Sequence, residues 1–123
     1  MDGERGKITC QIRYTLNLSA REAFIAYAEL WVGLVERYGG THLGYYIPRD
    51  APNGTQISFP GLGQEGPRDV AIALFTFPDE KSYLAYRAMA AVDPDCIKAE
   101  AIVRDTACFT SYERLFLEAL AER

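Results

Sequence analysis

The chain has a single histidine, His42. It is the only side chain whose ordinary pKa lies near neutrality, so proton transfer at pH 7 falls most easily to it as a catalytic group. The plainer reading is a strand-end histidine bonded to a backbone carbonyl, and the sequence leaves both open. Arg13 follows Gln11 at strand spacing. A permanently charged guanidinium on that face would hold a carboxylate or phosphate in a bidentate grip, or else pair within the protein. Under strict alternation Tyr46 shares the face of His42, and Tyr112 projects from the last strand. Gln11, Arg13, Tyr46 and Tyr112 are therefore the candidate substrate-binding residues beside a catalytic His42. The remaining tyrosines, among them Tyr14, Tyr27, Tyr38, Tyr83 and Tyr86, recur at helical or strand spacing and read mainly as packing groups. Arg87 reads as a helix-surface ion pair.

Other chemistries are poorly supplied. One histidine and no C-x-x-C pair disfavour a structural zinc site. Cys10, Cys96 and Cys108 lie far apart in apolar segments, and no Ser-His-Asp or Cys-His arrangement stands out, so no nucleophile is expected. Gly61-Leu62-Gly63-Gln64-Glu65-Gly66 fits the dinucleotide pattern. It follows Pro60 and runs through Pro67 into a strand, whereas a phosphate site needs a strand before it and a helix start after it. Asn53-Gly54-Thr55 is a glycosylation sequon without a secretory signal to give it meaning. No cofactor or metal is expected.

The elements that must position these groups follow from length and periodicity. At 123 residues the chain fits one domain, 1–123, large enough to bury a core without metals or disulfides. A net charge of −4 without a cluster of Lys and Arg argues against nucleic acid. The charged start lacks an apolar signal core, and no apolar run approaches the ~18 residues of a membrane span. An odd number of separated cysteines fits a reducing compartment, so a cytoplasmic location is expected.

Ile8, Cys10, Ile12 and Tyr14 alternate with polar residues, which predicts a first strand with one apolar face. Ser19-Ala20-Arg21-Glu22 has the spacing of a capping box and predicts a helix start. Phe24, Tyr27, Ala28, Trp31, Leu34, Val35 and Tyr38 then form a helical stripe that Gly39-Gly40 ends. A second strand runs to about Ile47, with Leu43, Tyr45 and Ile47 on one face and His42, Gly44 and Tyr46 on the other. Residues 48–68 are rich in Pro, Gly, Asn and Asp and predict a long loop or lid. Residues 69–77 are almost wholly apolar, the mark of a strand covered on both faces. Asp79 caps a second helix, a weaker helical pattern follows from Asp95, and a last strand begins near Ala107 and either continues through 114–117 or turns helical there. The order predicts an α+β, ferredoxin-like βαββαβ protomer with a four-stranded antiparallel sheet. Helices would cover one sheet face only, so a homodimer that covers the other is expected.

Several stretches resemble the NIPSNAP family of dimeric α/β-barrel proteins. They are Ile12-Arg13-Tyr14, the run from Tyr38 through Tyr46, Ala73-Leu74-Phe75-Thr76-Phe77-Pro78, Tyr83-Leu84-Ala85-Tyr86-Arg87, Asp93-Pro94 and Tyr112 through Leu117. The resemblance spans most of 8–117 and implies the same fold and a dimer whose sheets enclose a cavity. Two departures stand out: Gln11 replaces a glutamate common in the family, and the 48–68 loop is longer. Haem-binding relatives of this barrel generally carry a helical axial histidine, whereas His42 falls in a strand. The family brings no agreed activity. Analogy with other dimeric barrels suggests a cofactor-independent oxygenase or isomerase acting on a small aromatic or acidic metabolite. A non-catalytic dimeric interaction module is the alternative.

Overall fold

A computed structural model describes residues 6–120. Residues 1–5, most of the charged start, and 121–123 lie outside the described residues. The elements are β1 (Ile8–Leu16), a 3-10 turn (Leu18–Ala20), α1 (Arg21–Arg37), β2 (Thr41–Tyr46), β3 (Val70–Phe77), α2 (Glu80–Ala90), α3 (Pro94–Thr106) and β4 (Phe109–Leu117). The strands form one antiparallel sheet in the order β2-β3-β1-β4. This is the expected ferredoxin-like α+β arrangement. No helix among the described residues is long and apolar enough to cross a membrane.

The period-two strands behave as their sequences require. Cys10, Tyr14 and Leu16 of β1 and Ala71, Ala73, Phe75 and Phe77 of β3 are buried under the helices. Thr9, Gln11, Arg13 and Thr15 turn to the open face. There β3 presents Val70, Ile72 and Leu74, which are only half buried, so the doubly apolar strand has one face still to cover. β4 continues as a strand to Leu117, which excludes the helical ending.

The capping box at Ser19 does not form. Asn17 comes first: its Oδ1 accepts from the Ser19 amide at 3.3 Å and the Ser19 hydroxyl at 2.7 Å. That local ring makes Leu18–Ala20 a 3-10 turn and moves the start of α1 beyond Ala20, which carries no side-chain cap. Asp79 and Asp93 do cap α2 and α3, accepting from the Ser82 and Asp95 amides at 2.7 and 2.8 Å. Asp93 also receives Arg37 Nη1 at 2.6 Å and Tyr38 Oη at 2.5 Å, so the end of α1 is tied to the start of α3.

Gly39 takes φ +97 at the end of α1, the left-handed conformation that lets the chain turn back. Gly40 sends its amide to the Val35 carbonyl at 2.9 Å. The loop over 47–69 holds turns and an isolated bridge between Pro60 and Gly63, and an ion pair between Arg68 and Asp50 joins its two ends.

The second strand departs from strict alternation. Its register with β3 pairs His42 with Phe75, then Gly44 with Leu74 and Tyr45 with Ala73, so Leu43 is an extra residue in a bulge. The slip turns His42 and Tyr45 to the same, helix-covered side, and leaves Tyr46 on the open side beside Ile72. The expected grouping of His42 with Gly44 and Tyr46 is thereby corrected.

Candidate functional site

The core divides into two clusters. One gathers around Tyr14, Phe24, Tyr27, Ala71, Ala73 and Ala99, the other around Cys10, Val35, Phe75, Phe77, Tyr83 and Tyr86. Half-buried Ile12 and Trp31 touch both. α1 packs along α3, while α2 rests mainly on β3. A partly enclosed cavity of about 570 Å³ lies where the clusters meet, between sheet and helices. That volume falls within the range of small-molecule sites.

Cross-strand register sets the floor of the cavity. One row of the sheet runs His42, Phe75, Cys10, Phe116, and the next runs Tyr45, Ala73, Ile12, Arg114. Beyond them Tyr14 pairs with Tyr112. Tyr27, Trp31 and Val35 from α1 supply one wall, Tyr83, Tyr86, Arg87, Ala90 and Ala91 from α2 and its end another, and Cys96, Glu100, Val103 and Arg104 from α3 a third. The lining is thus rich in aromatic residues, with charge confined to arginines and one glutamate.

The aromatic rings carry a hydroxyl cluster. Tyr14 Oη lies 3.3 Å from Tyr27 Oη and 3.4 Å from Tyr45 Oη, and the Tyr14 ring meets Phe24 and Phe109 edge-on at 5.1 and 4.8 Å between centroids. Burial drives the Tyr14, Tyr27 and Tyr45 phenols far above their ordinary pKa. They are neutral at any working pH, able to donate and accept but not to serve as phenolates. Cys10, on the floor, is raised by burial to about 11, so its thiol stays protonated and is not a nucleophile.

His42 is held on three sides. Its ring stacks on Tyr45 at 5.0 Å with an 11° tilt and lies 5.5 Å from Phe75. Its amide donates to Glu36 Oε2 at 3.2 Å, and its Nδ1 accepts the Gly44 amide at 3.0 Å. Burial lowers its pKa, against an opposing pull from Glu36, so the neutral ring prevails at pH 7. Because Nδ1 is the acceptor, the proton of that neutral ring belongs on Nε2. Nε2 is buried without a hydrogen-bond partner among the described residues. An orphaned buried N–H is uncommon enough to require a role. As placed, it is a donor without an acceptor.

The five expected site residues do not converge. His42 and Tyr112 line the cavity. Gln11, Arg13 and Tyr46 sit on the opposite, open face of the sheet: Arg13 pairs with Glu113 at 3.4 Å, both well exposed, and Tyr46 Oη donates to the Leu43 carbonyl at 3.0 Å. Gln11 stands between Leu74 and Leu115 in the sheet register. Those three could meet a ligand only in a space that a second molecule closes. Sequence reasoning missed Tyr45, Trp31, Arg87 and Arg114 as cavity residues. The available signal was Gly44 inside a strand, which marks a bulge and with it the reversal of faces.

Among the described residues no three His, Cys, Asp or Glu side chains cluster as a metal site would require. No protein-family model matches the chain, and no curated protein matches it. Solved structures do. A NIPSNAP family protein of Agrobacterium tumefaciens aligns over 92% of this chain and 87% of its own, with a TM-score of 0.65 and 16% identity. A NIPSNAP-like domain protein from Burkholderia xenovorans aligns over 94% and 87%, with a TM-score of 0.64 and 17% identity. SnoaB, a cofactor-independent oxygenase from Streptomyces nogalater, aligns over 95% and 96%, with a TM-score of 0.57 and 11% identity. The fold is therefore NIPSNAP-like across nearly its whole length, as the sequence resemblance implied. At these identities the likeness concerns fold alone.

Proposed function

We propose that the protein binds a small, largely aromatic metabolite in the cavity between its sheet and its helices. The carrying observation is an aromatic-rich cavity of about 570 Å³ with His42 in its lining. Flat rings would stack among Tyr14, Tyr27, Trp31 and Tyr86, and the His42 Nε2–H, covered as it stands, would reach a ligand carbonyl or phenolic oxygen once the ring turns toward the cavity.

A donor aimed at a substrate oxygen favours the enolate or phenolate form. With its proton passed to Glu100, the one lining carboxylate, or to water at the mouth, such an anion can give one electron to dioxygen and combine with the superoxide formed, or take a proton back at another carbon. Cofactor-independent oxygenation and isomerisation are the two reactions this supports, and SnoaB, a cofactor-independent oxygenase, belongs to the first. We propose also that a second copy of the chain covers the open sheet face, where Ile72, Leu74, Leu115 and Leu117 surround the Arg13–Glu113 pair. The three free buried thiols suit a reducing compartment such as the cytoplasm.

Trp31 is the single tryptophan and lines the cavity, so its emission reports occupancy. Titration with two- and three-ring aromatic ketones and phenols should quench it saturably, and Ala91→Phe, which crowds the cavity, should weaken binding. Native mass spectrometry of the purified protein should show a retained small molecule or a dimer mass. Absence of quenching by every compound, with no retained mass, would refute the binding reading. A monomer at micromolar concentration in light scattering would refute the dimer.

A further inference from the structure

We infer that the cavity takes an aromatic acid, its anionic group held at the mouth by Arg87 and Arg114. This rests on the aromatic-pocket reading above and names the class of ligand for it.

The two arginines come from different elements and reach the same wall. Arg114 lies on β4 opposite Ile12, on the helix-covered side of the sheet. Its guanidinium carbon stands 4.7 Å over the Phe116 ring, and Phe116 packs edge-on against Tyr83 at 5.4 Å. Arg87 follows Tyr83 by one turn of α2, on the same helix face. Both line the cavity. Their positive charges also oppose the upward push of burial on the Cys10 and Tyr83 groups between them.

Neither arginine has a carboxylate oxygen within 4.0 Å among the described residues. Arg104, the third at the mouth, is already paired with Asp105 at 3.6 Å. Glu100 is the only carboxylate among the lining residues. A chain of net charge −4 thus gathers an excess of positive charge around one opening and leaves two guanidiniums unneutralised. Planar, fixed-charge groups of this kind match a carboxylate in pairs of parallel hydrogen bonds.

The sheet also sets the span between the two polar ends. His42 is on one edge strand and Arg114 on the other, three strand spacings apart, or roughly 14 Å between backbones. Side chains projecting inward from both edges leave room for a ring system between a hydrogen-bonded oxygen at His42 and an acid group at the arginines.

The test compares 2-naphthoate with neutral 2-naphthamide, which share shape, by Trp31 quenching and calorimetry at low ionic strength. The acid should bind on the order of tenfold more tightly, as a charge-assisted contact predicts, and the difference should shrink with added salt. Arg87→Gln and Arg114→Gln, both at exposed positions, should each reduce naphthoate affinity several-fold and naphthamide affinity much less. Equal binding of the two compounds would overturn the acid assignment and leave the aromatic pocket standing. If neither binds, the pocket reading falls with it. A preference abolished by Arg13→Gln but kept in the other two variants would put the anion on the open sheet face, again overturning the assignment.

Discussion

Two glycine-to-alanine changes should move stability in opposite directions. At Gly40 an added Cβ would stand 2.6 Å from Phe77 Cζ, 2.8 Å from Val35 Cγ1 and 2.9 Å from Phe77 Cε1. Comfortable carbon contacts lie near 3.5–4.0 Å, so the neighbours must yield by about 0.7–1 Å. They have little room: the Phe77 ring is wedged against Phe75, Tyr83 and Tyr86 at 6.2, 5.7 and 4.7 Å, and Val35 is 1% exposed. Overpacking of this kind costs about 1–3 kcal/mol, or roughly 4–12 °C in Tm for a domain of this size. Gly33 lies inside α1 with nothing within 4 Å of its would-be Cβ. Alanine there should stabilise by about 0.5–1 kcal/mol, because the helix no longer carries the entropy of glycine. Urea unfolding with unchanged m-values would give both numbers. Phe77→Leu in the Gly40→Ala background should recover part of the loss, a coupling that a double-mutant cycle measures. A Gly40→Ala variant within about 0.5 kcal/mol of wild type would refute the packing argument.

Three further outcomes follow from charge and burial. Tyr38, the Asp95 amide and Arg37 hold the Asp93 carboxyl at about 2 against an ordinary 3.8. Its stabilising contribution is therefore full above pH 4 and lost as the pH falls toward 2, and Asp93→Asn should flatten the acid limb of a stability profile. Burial holds His42 below its ordinary 6.5, so the unfolded chain takes up the proton first. Its contribution should be complete above pH 6.5 and decline as the pH drops from there toward the folded value. His42→Asn, which keeps an acceptor for Gly44, should remove that slope in urea titrations at stepped pH. Cys10, Cys96 and Cys108 are all buried, so a disulfide reagent should label them slowly in native buffer and promptly in denaturant; fast native labelling would contradict their placement.

The fold was legible where period and side-chain chemistry agree. Ile8 through Tyr14 could only sit half-buried as a strand, the nearly unbroken apolar run of β3 called for cover on both faces, and Asp79 announced its helix, whereas Asp93 read as the end of that helix and not as the cap of the next. The site was harder to see because it depends on relations between distant segments. One residue of bulge at Leu43 reverses His42, and alternation alone cannot reveal it, although Gly44 at φ +129 is the kind of residue that permits it. Asn17 overrode the capping box because its shorter ring closes first. Arg87 and Arg114 look like unrelated surface charges until the β1–β4 register and the packing of Phe116 on Tyr83 bring them to one mouth.

The sheet is a single layer of backbone with different tasks on its two sides. Ile12 and Tyr14 face the cavity while Gln11, Arg13 and Thr15, their immediate neighbours, face outward. A ligand that tightens the floor therefore restrains the same peptide planes that a second molecule would press upon from outside. With the cavity filled and the open face covered as proposed, occupancy and assembly would be linked equilibria that share one mechanical element, and each would alter the affinity of the other by an equal factor whenever it shifts that element. Comparing dimer dissociation with and without a bound aromatic acid would read that coupling directly, as a ratio that needs no knowledge of the reaction.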